Sequence, residues 1–198
     1  QKPVSFVEDC AVKLENLADY TKDLKTIFKK YAVEGTWYAH ASVGCLHVRP
    51  VLNMKLKQDV SKMRKIAEEA SQLIKKYHGS FSGEHGDGIV RSEFIEVMFG
   101  EKMNEIFKQI KRSFDPNNIF NPGKIIDAPK MDDRNYFRFS PGYEAKDINT
   151  ILDWSAWKGK SSGLQGAVEM CNNNGACRKL DNGVMCPSYR ATLDEKDS

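Results

Sequence analysis

The sequence predicts an α+β fold: an antiparallel sheet with helices on one face, in the ferredoxin-like split βαβ order. Three observations carry that prediction. Strand-like and helix-like stretches succeed one another as strand, helix, strand, strand, helix across residues 4–77. The two central strand-like runs adjoin across a short Ser-Val-Gly-Cys turn, which an antiparallel pair can make and a parallel pair cannot. The composition, 40% hydrophobic and 29% charged over 198 residues, suits a globular core with room for one domain and something extra.

Residues 4–12 (VSFVEDCAV) are rich in β-branched and aromatic side chains and predict a strand. Leu14, Leu17, Leu24, Ile27, Phe28 and Tyr31 then recur at helical spacing. Residues 35–52 (GTWYAHASVGCLHVRPVL) give two strands about the turn. Val60, Met63, Ala67, Ala70, Ile74 and Tyr77 mark a second amphipathic helix. A glycine-rich loop, SGEHGDG at 82–88, follows. A short helix near 92–99 and another over 101–114 come next, the latter stopped by DPNN and NPG. From there to about residue 150 turn formers and charges dominate, and TILDWSAW (150–157) reads as a short strand. The domain boundaries expected are 1–127, a connector over 128–160, and a small cysteine-bearing module over 161–198.

Net charge is only +3, with lysines spread over helix faces, which is the pattern of solvated surface and argues against nucleic acid as a partner. No apolar run reaches the length of a membrane span and no secretory leader opens the chain. The residues at both ends lack opening or closing elements, so a piece of a longer protein is expected. Five cysteines, three of them crowded into the tail, do not form an even disulfide framework, and a reducing cytoplasm is the expected compartment.

The histidines concentrate attention. There are four, at 40, 47, 78 and 85. With Val43 and Gly44 at the centre of a two-residue turn, His40 lies directly opposite His47. The two side chains then share one face, their Cβ atoms about 4.5–5.5 Å apart. Arg49 shares that face by strand alternation. Two imidazoles so placed, with Glu84 from the glycine loop, suit zinc, manganese or iron with coordination positions left open. The plainer alternative is a set of half-buried histidines packed in the sheet.

Three segments, AHASVGCLHVRP, GSFSGEHGDGIVR and SFDPNNIFNPGK, occur in that order. Together they resemble the C-terminal substrate domain of the FAD-linked oxidases that act on D-2-hydroxy acids, over roughly residues 1–127. The resemblance implies that His40, His47 and Glu84 hold a divalent metal near the flavin and that His85 is the general base. It also implies that Asn121 and Lys124 neighbour the flavin; their local reading is a helix stop and turn built by Pro116, Pro122 and Gly123. The family usually reads Gly-Asp-Gly-Asn where this chain has Ser42-Val43-Gly44-Cys45, so flavin contact in this turn must differ. Arg49 stands where relatives often carry a small amide. Its fork would suit a distal carboxylate, which favours D-2-hydroxyglutarate over D-lactate; the alternative is a surface ion pair. No glycine-rich pyrophosphate loop is present, so the FAD-binding domain is expected N-terminal to residue 1 and this piece alone is expected to be inactive.

Cys171, Cys177 and Cys186, the last followed by Pro187, extend the resemblance to a bacterial subgroup with a fused iron–sulfur domain. On a C-x2-C-x2-C-x3-C-P ferredoxin pattern, Asn174 occupies the second ligand position, and a 4Fe-4S cluster would need a fourth ligand from elsewhere. Structural zinc and free thiols are the rivals. The expected substrate is thus a small 2-hydroxy acid, and the expected location is cytoplasmic, with peripheral contact at the inner membrane through an electron acceptor as a variant. A non-catalytic metal- or cluster-binding electron-transfer module is the alternative function.

Overall fold

A computed structural model describes residues 2–146, 148–157, 163–172, 174–183 and 185–198. The chain divides into two compact units, residues 1–143 and 144–198. The expected boundary at 160/161 lies outside the described residues.

The first unit is α+β, as the sequence predicts. Its sheet is centred on β4 (Cys45–Leu52), paired antiparallel with β3 (Gly35–His40) and with two short strands, β1 (Lys2–Pro3) and β2 (Cys10–Ala11). Strand alternation divides β4. Leu46, Val48 and Leu52 join the apolar core, while Cys45, His47 and Arg49 face the other way. The core is closed by α1 (Leu17–Lys30) and α2 (Lys57–Lys76), which pack on each other and on β4. Tyr20, Leu24 and Phe28 recur every fourth residue on the buried stripe of α1. Val60, Met63, Ala67, Ala70 and Ile74 do the same for α2. Each such leucine, phenylalanine or methionine side chain stabilises the fold by about 1.5–3 kcal/mol when fully buried.

Both helices end in the same way. Ala32 and His78 take left-handed φ values of 50° and 52°. The N–H groups of Val33 and Gly79 then reach back to the carbonyls of Phe28 and Ile74, both at 3.0 Å, closing Schellman-type caps. His78 is therefore a helix stop. After α2 the chain makes a bridge at Ser80 with Ala11, passes through the glycine loop, and forms α3 (Gly88–Arg91), α4 (Ile95–Phe99) and α5 (Glu101–Phe114).

Three expectations change. Residues 4–12 are not one strand: the ladder breaks between β1 and β2, and residues 5–9 form a tight excursion in which Asp9 adopts φ 77°. Asp9 keeps one main-chain bond to Leu46 on β4, and its side chain is engaged by the glycine loop, as described below. The hairpin turn is longer than two residues, because Ala41–Val43 form a 3-10 turn and Gly44 closes it at φ 69°. A Cβ on Gly44 would lie 2.0 Å from the Val12 carbonyl, so only glycine fits. The register consequently shifts by two: His40 pairs with Cys45, and Tyr38 with His47. Finally, residues 150–157 form no strand but end in a 3-10 turn at Ser155–Trp157. That stretch is largely exposed, and among the described residues no strand faces it to take its backbone groups.

Among the described residues, the second unit holds two short α-helices, α6 (Gly163–Val168) and α7 (Pro187–Thr192). Arg190 ties its loops by donating to the carbonyls of Lys179, Asp181 and Gly183 at 3.4, 3.2 and 2.9 Å.

Candidate metal centre

The face of the sheet turned away from the helices carries Tyr38, His40, Cys45, His47 and Arg49. A register slip of two keeps every side chain on its face, because the pleat repeats every second residue. His40 and His47 therefore still meet, diagonally rather than directly, with ring centroids 5.0 Å apart and planes nearly perpendicular.

His47 is 1% exposed and sits between two rings, stacking on Tyr38 and on His85 with centroids 4.9 Å apart in each case. Its Nδ1 is buried without a hydrogen-bond partner. Its Nε2 lies 2.9 Å from Glu84 Oε1. The same oxygen lies 3.4 Å from His40 Nε2 and 3.4 Å from His85 Nε2. Three imidazole nitrogens thus converge on one carboxylate oxygen at the mouth of a buried sheet face. Among the described residues, one set of ligand atoms falls within 4.8 Å of one another, supplied by Asp9, His47, Glu84 and His85. His40 reaches the same carboxylate from the exposed rim.

Two acidic residues absent from the sequence expectations organise this arrangement. Asp9 is fully buried, yet its carboxyl stays below the usual carboxylate range. Burial pushes it up, but the backbone N–H groups of His85 and Glu84 and the nearby Arg91 charge outweigh that. Those N–H groups lie 2.8–3.0 Å from its oxygens. Glu8 is likewise held low. Burial opposes its charge, and Arg49, whose Nε donates to Glu8 Oε2 at 2.6 Å, overcomes it. Glu8 Oε1 also faces His85 Nδ1 at 3.5 Å. The sequence did contain a signal for this pair: adjacent acids inside an apolar strand-like stretch cannot both face water by alternation. Cys45 lies 3.5 Å from Asp9 and 3.9 Å from His47 Nε2; burial, then Asp9, push its thiol up to about 11.

Arg49 shares the site face, and its Nε is committed to Glu8. Asn121 is exposed at φ 47°, in a turn whose N–H groups at Ile119 and Phe120 are both accepted by Asp115 at 2.9 Å. Among the described residues, neither Asn121 nor Lys124 bonds to the histidine cluster. In the second unit, Cys177 Sγ lies 3.4 Å from Ser198 Oγ, and Cys186 Sγ lies 3.5 Å from the Asp197 carbonyl. Cys171 is exposed after α6. The three sulfurs do not gather within 4.8 Å of one another. Asn174 spends its side chain on a turn, accepting the Ala176 N–H at 3.0 Å.

Residues 1–125 match the family described as FAD linked oxidases, C-terminal domain. A D-2-hydroxyglutarate dehydrogenase of Pseudomonas putida is 35% identical over 198 residues, covering all of this chain and 19% of that protein. One from Escherichia coli is 36% identical over 197 residues, covering 96% of this chain and 18% of the relative. A D-lactate dehydrogenase of Archaeoglobus fulgidus is 33% identical over 126 residues, 64% of this chain and 28% of its own length. The chain thus spans about a fifth of the full-length relatives it matches from end to end.

Proposed function

This chain belongs to the FAD linked oxidases, C-terminal domain family, and from that premise we propose that it is the substrate and metal domain of a flavin-dependent D-2-hydroxyacid dehydrogenase. The observation that carries the proposal is the convergence of His40, His47 and His85 Nε2 on Glu84 Oε1. A single carboxylate oxygen has two lone pairs and cannot accept three good hydrogen bonds. A shared divalent cation suits that donor set of imidazole nitrogens and one carboxylate better. His40, His47 and Glu84 would hold it. When bound, such an ion supplies Lewis-acid stabilisation that lowers the pKa of a coordinated hydroxyl. FAD supplies the hydride acceptor.

The chain's own residues do the rest. His85 lies between two carboxylates, with Nδ1 toward Glu8 and Nε2 toward Glu84. A proton on Nδ1, directed at Glu8, leaves the Nε2 lone pair to take the substrate hydroxyl proton. Stacking on His47 holds the ring in plane for that task. Arg49 is fixed by Glu8 through Nε and turns the rest of its fork to a distal carboxylate, which favours D-2-hydroxyglutarate over D-lactate. The end-to-end match to dehydrogenases named for D-2-hydroxyglutarate supports the same choice.

The tail completes the proposal. Cys171, Cys177 and Cys186 would bind a 4Fe-4S cluster that takes electrons onward from the flavin, with a fourth ligand from another segment. Their ferredoxin-like order, with Pro187 after the last cysteine, supports this. Asn121 and Lys124 would neighbour the flavin.

The test is anaerobic mixing of the full-length flavoprotein with D-2-hydroxyglutarate and, separately, D-lactate. Rapid loss of the oxidised flavin absorbance with the dicarboxylate, and slow loss with lactate, is expected. An unreduced flavin with both acids refutes the activity. Faster reduction by lactate refutes the role given to Arg49.

A further inference from the structure

We propose that Asp9 is the positioning residue of this centre, the group that sets where Glu84 and His85 point relative to His47. The proposal rests on the metal and base roles assigned above. Asp9 is built into both halves of the site. Its N–H donates to the Leu46 carbonyl at 3.0 Å, next to His47 on β4, and its own carbonyl accepts the Gly83 N–H at 2.7 Å. Its carboxylate then takes the N–H of Glu84 at 2.9 and 3.0 Å, the N–H of His85 at 2.8 Å and the Ser82 hydroxyl at 3.2 Å. One residue therefore welds the strand that carries the buried histidine to the loop that carries the Glu-His pair.

The local chemistry is costly, which argues for a function. A non-glycine residue at φ 77° holds its backbone in the left-handed region that favours glycine. A buried charge is strongly unfavourable unless its lone pairs are satisfied. Ala32 and His78 show that a plain helix stop can take such a φ, but a plain turn has no need of a fully buried carboxylate. Here the strain turns the carboxylate under the 82–85 loop, and two successive N–H groups pointing at one anion fix the backbone of both residues. Arg91 braces the far side, donating to the carbonyls of Glu8 and Gly86 and standing 3.8 Å from Asp9 Oδ2. With these oxygens committed to N–H donors, Asp9 acts on the metal through Glu84 and His85 and is not itself a ligand.

Asp9→Asn in the full-length flavoenzyme keeps the shape but sets an amide donor against an N–H. Three readouts follow: the Kd of the metal-stripped protein for Co2+, the visible spectrum of the Co2+ form, and kcat at saturating metal. Loss of an outer partner of this kind predicts a Kd weakened about 10- to 100-fold. It also predicts an altered cobalt spectrum, and a kcat that stays roughly 10-fold or more below wild type when the site is full, because His85 remains misdirected. Wild-type values for all three in a folded, flavin-loaded variant overturn the proposal. If Asp9→Asn does not fold, Ser82→Ala decides, since it removes one donor to the same carboxylate and leaves the loop backbone intact. A changed cobalt spectrum with a several-fold lower kcat supports the proposal, and no change in either overturns it. Glu84→Gln, run alongside, separates the two levels. Unchanged metal affinity there refutes the centre itself, and Asp9's role with it. Weakened affinity there, with wild-type behaviour in the Asp9 and Ser82 variants, refutes Asp9 alone.

Discussion

Replacing Glu84 by glutamine and His85 by asparagine, one at a time, should produce different defects in neighbouring residues. Glutamine keeps the shape of Glu84 but removes the unit of negative charge that all three imidazoles surround. A unit charge pair at 4 Å is worth about 1 kcal/mol in water and about 4 kcal/mol near a protein surface, and a divalent ion doubles each figure. Because the Glu84 side chain is 44% exposed, the lowest third of that range applies, about 2–4 kcal/mol. That is a weakening of metal affinity by roughly 30- to 700-fold. His85→Asn removes the proposed base and leaves His40, His47 and Glu84 in place, so turnover should fall by about 10²–10⁴-fold with metal content retained. The assay is chelator competition for bound metal, paired with steady-state turnover of the full-length enzyme with and without added metal. Added metal should restore the Glu84 variant in part and leave the His85 variant unchanged. Equal loss of metal in both variants would make His85 a ligand, a reading its 3.4 Å approach to Glu84 Oε1 permits, and would refute the division of roles. Near-normal turnover in both would reduce the loop to a turn.

Arg49→Met should raise KM for D-2-hydroxyglutarate by about 10- to 100-fold and leave that for D-lactate within a few-fold, since a charge-assisted bond to the distal carboxylate is worth about 1.5–3 kcal/mol; parallel rises for both acids would mean Arg49 acts only by holding Glu8. Gly44→Ala should destabilise the first unit by at least about 1–3 kcal/mol, because the new Cβ would meet the Val12 carbonyl at 2.0 Å in a left-handed backbone, and denaturant unfolding reads it directly. Asp9 and Glu8 both have carboxyls held below their ordinary values, so the stability they contribute is fully present above about pH 4–4.5 and is lost as the pH falls through their lower folded values. Unfolding free energies between pH 6 and pH 3 should therefore drop steeply in the wild-type chain and less so in Asp9→Asn, and equal slopes would refute the linkage.

Periodicity alone determined much of this protein. Apolar residues every third or fourth position placed α1 and α2 and named the faces they bury, because a helix has only one stripe to hide. A period of two placed His40 and His47 on one face, and that conclusion survived a wrong turn length, since a slip of two residues leaves every side chain on the side it had. The order of the three motif segments pointed to the family. Tertiary structure decided what local pattern cannot encode. The turn length was set by the Val12 carbonyl, which crowds Gly44 from another segment. Arg49 was claimed through its Nε by Glu8, 41 residues away in the chain. Above all, the direction of Glu84 and His85 is fixed by a carboxylate 75 and 76 residues upstream. Asp9 belongs to a stretch whose composition reads as an ordinary strand. Its carboxylate serves two N–H groups of the distant loop, a pairing that arises only once the loop and the strand have met.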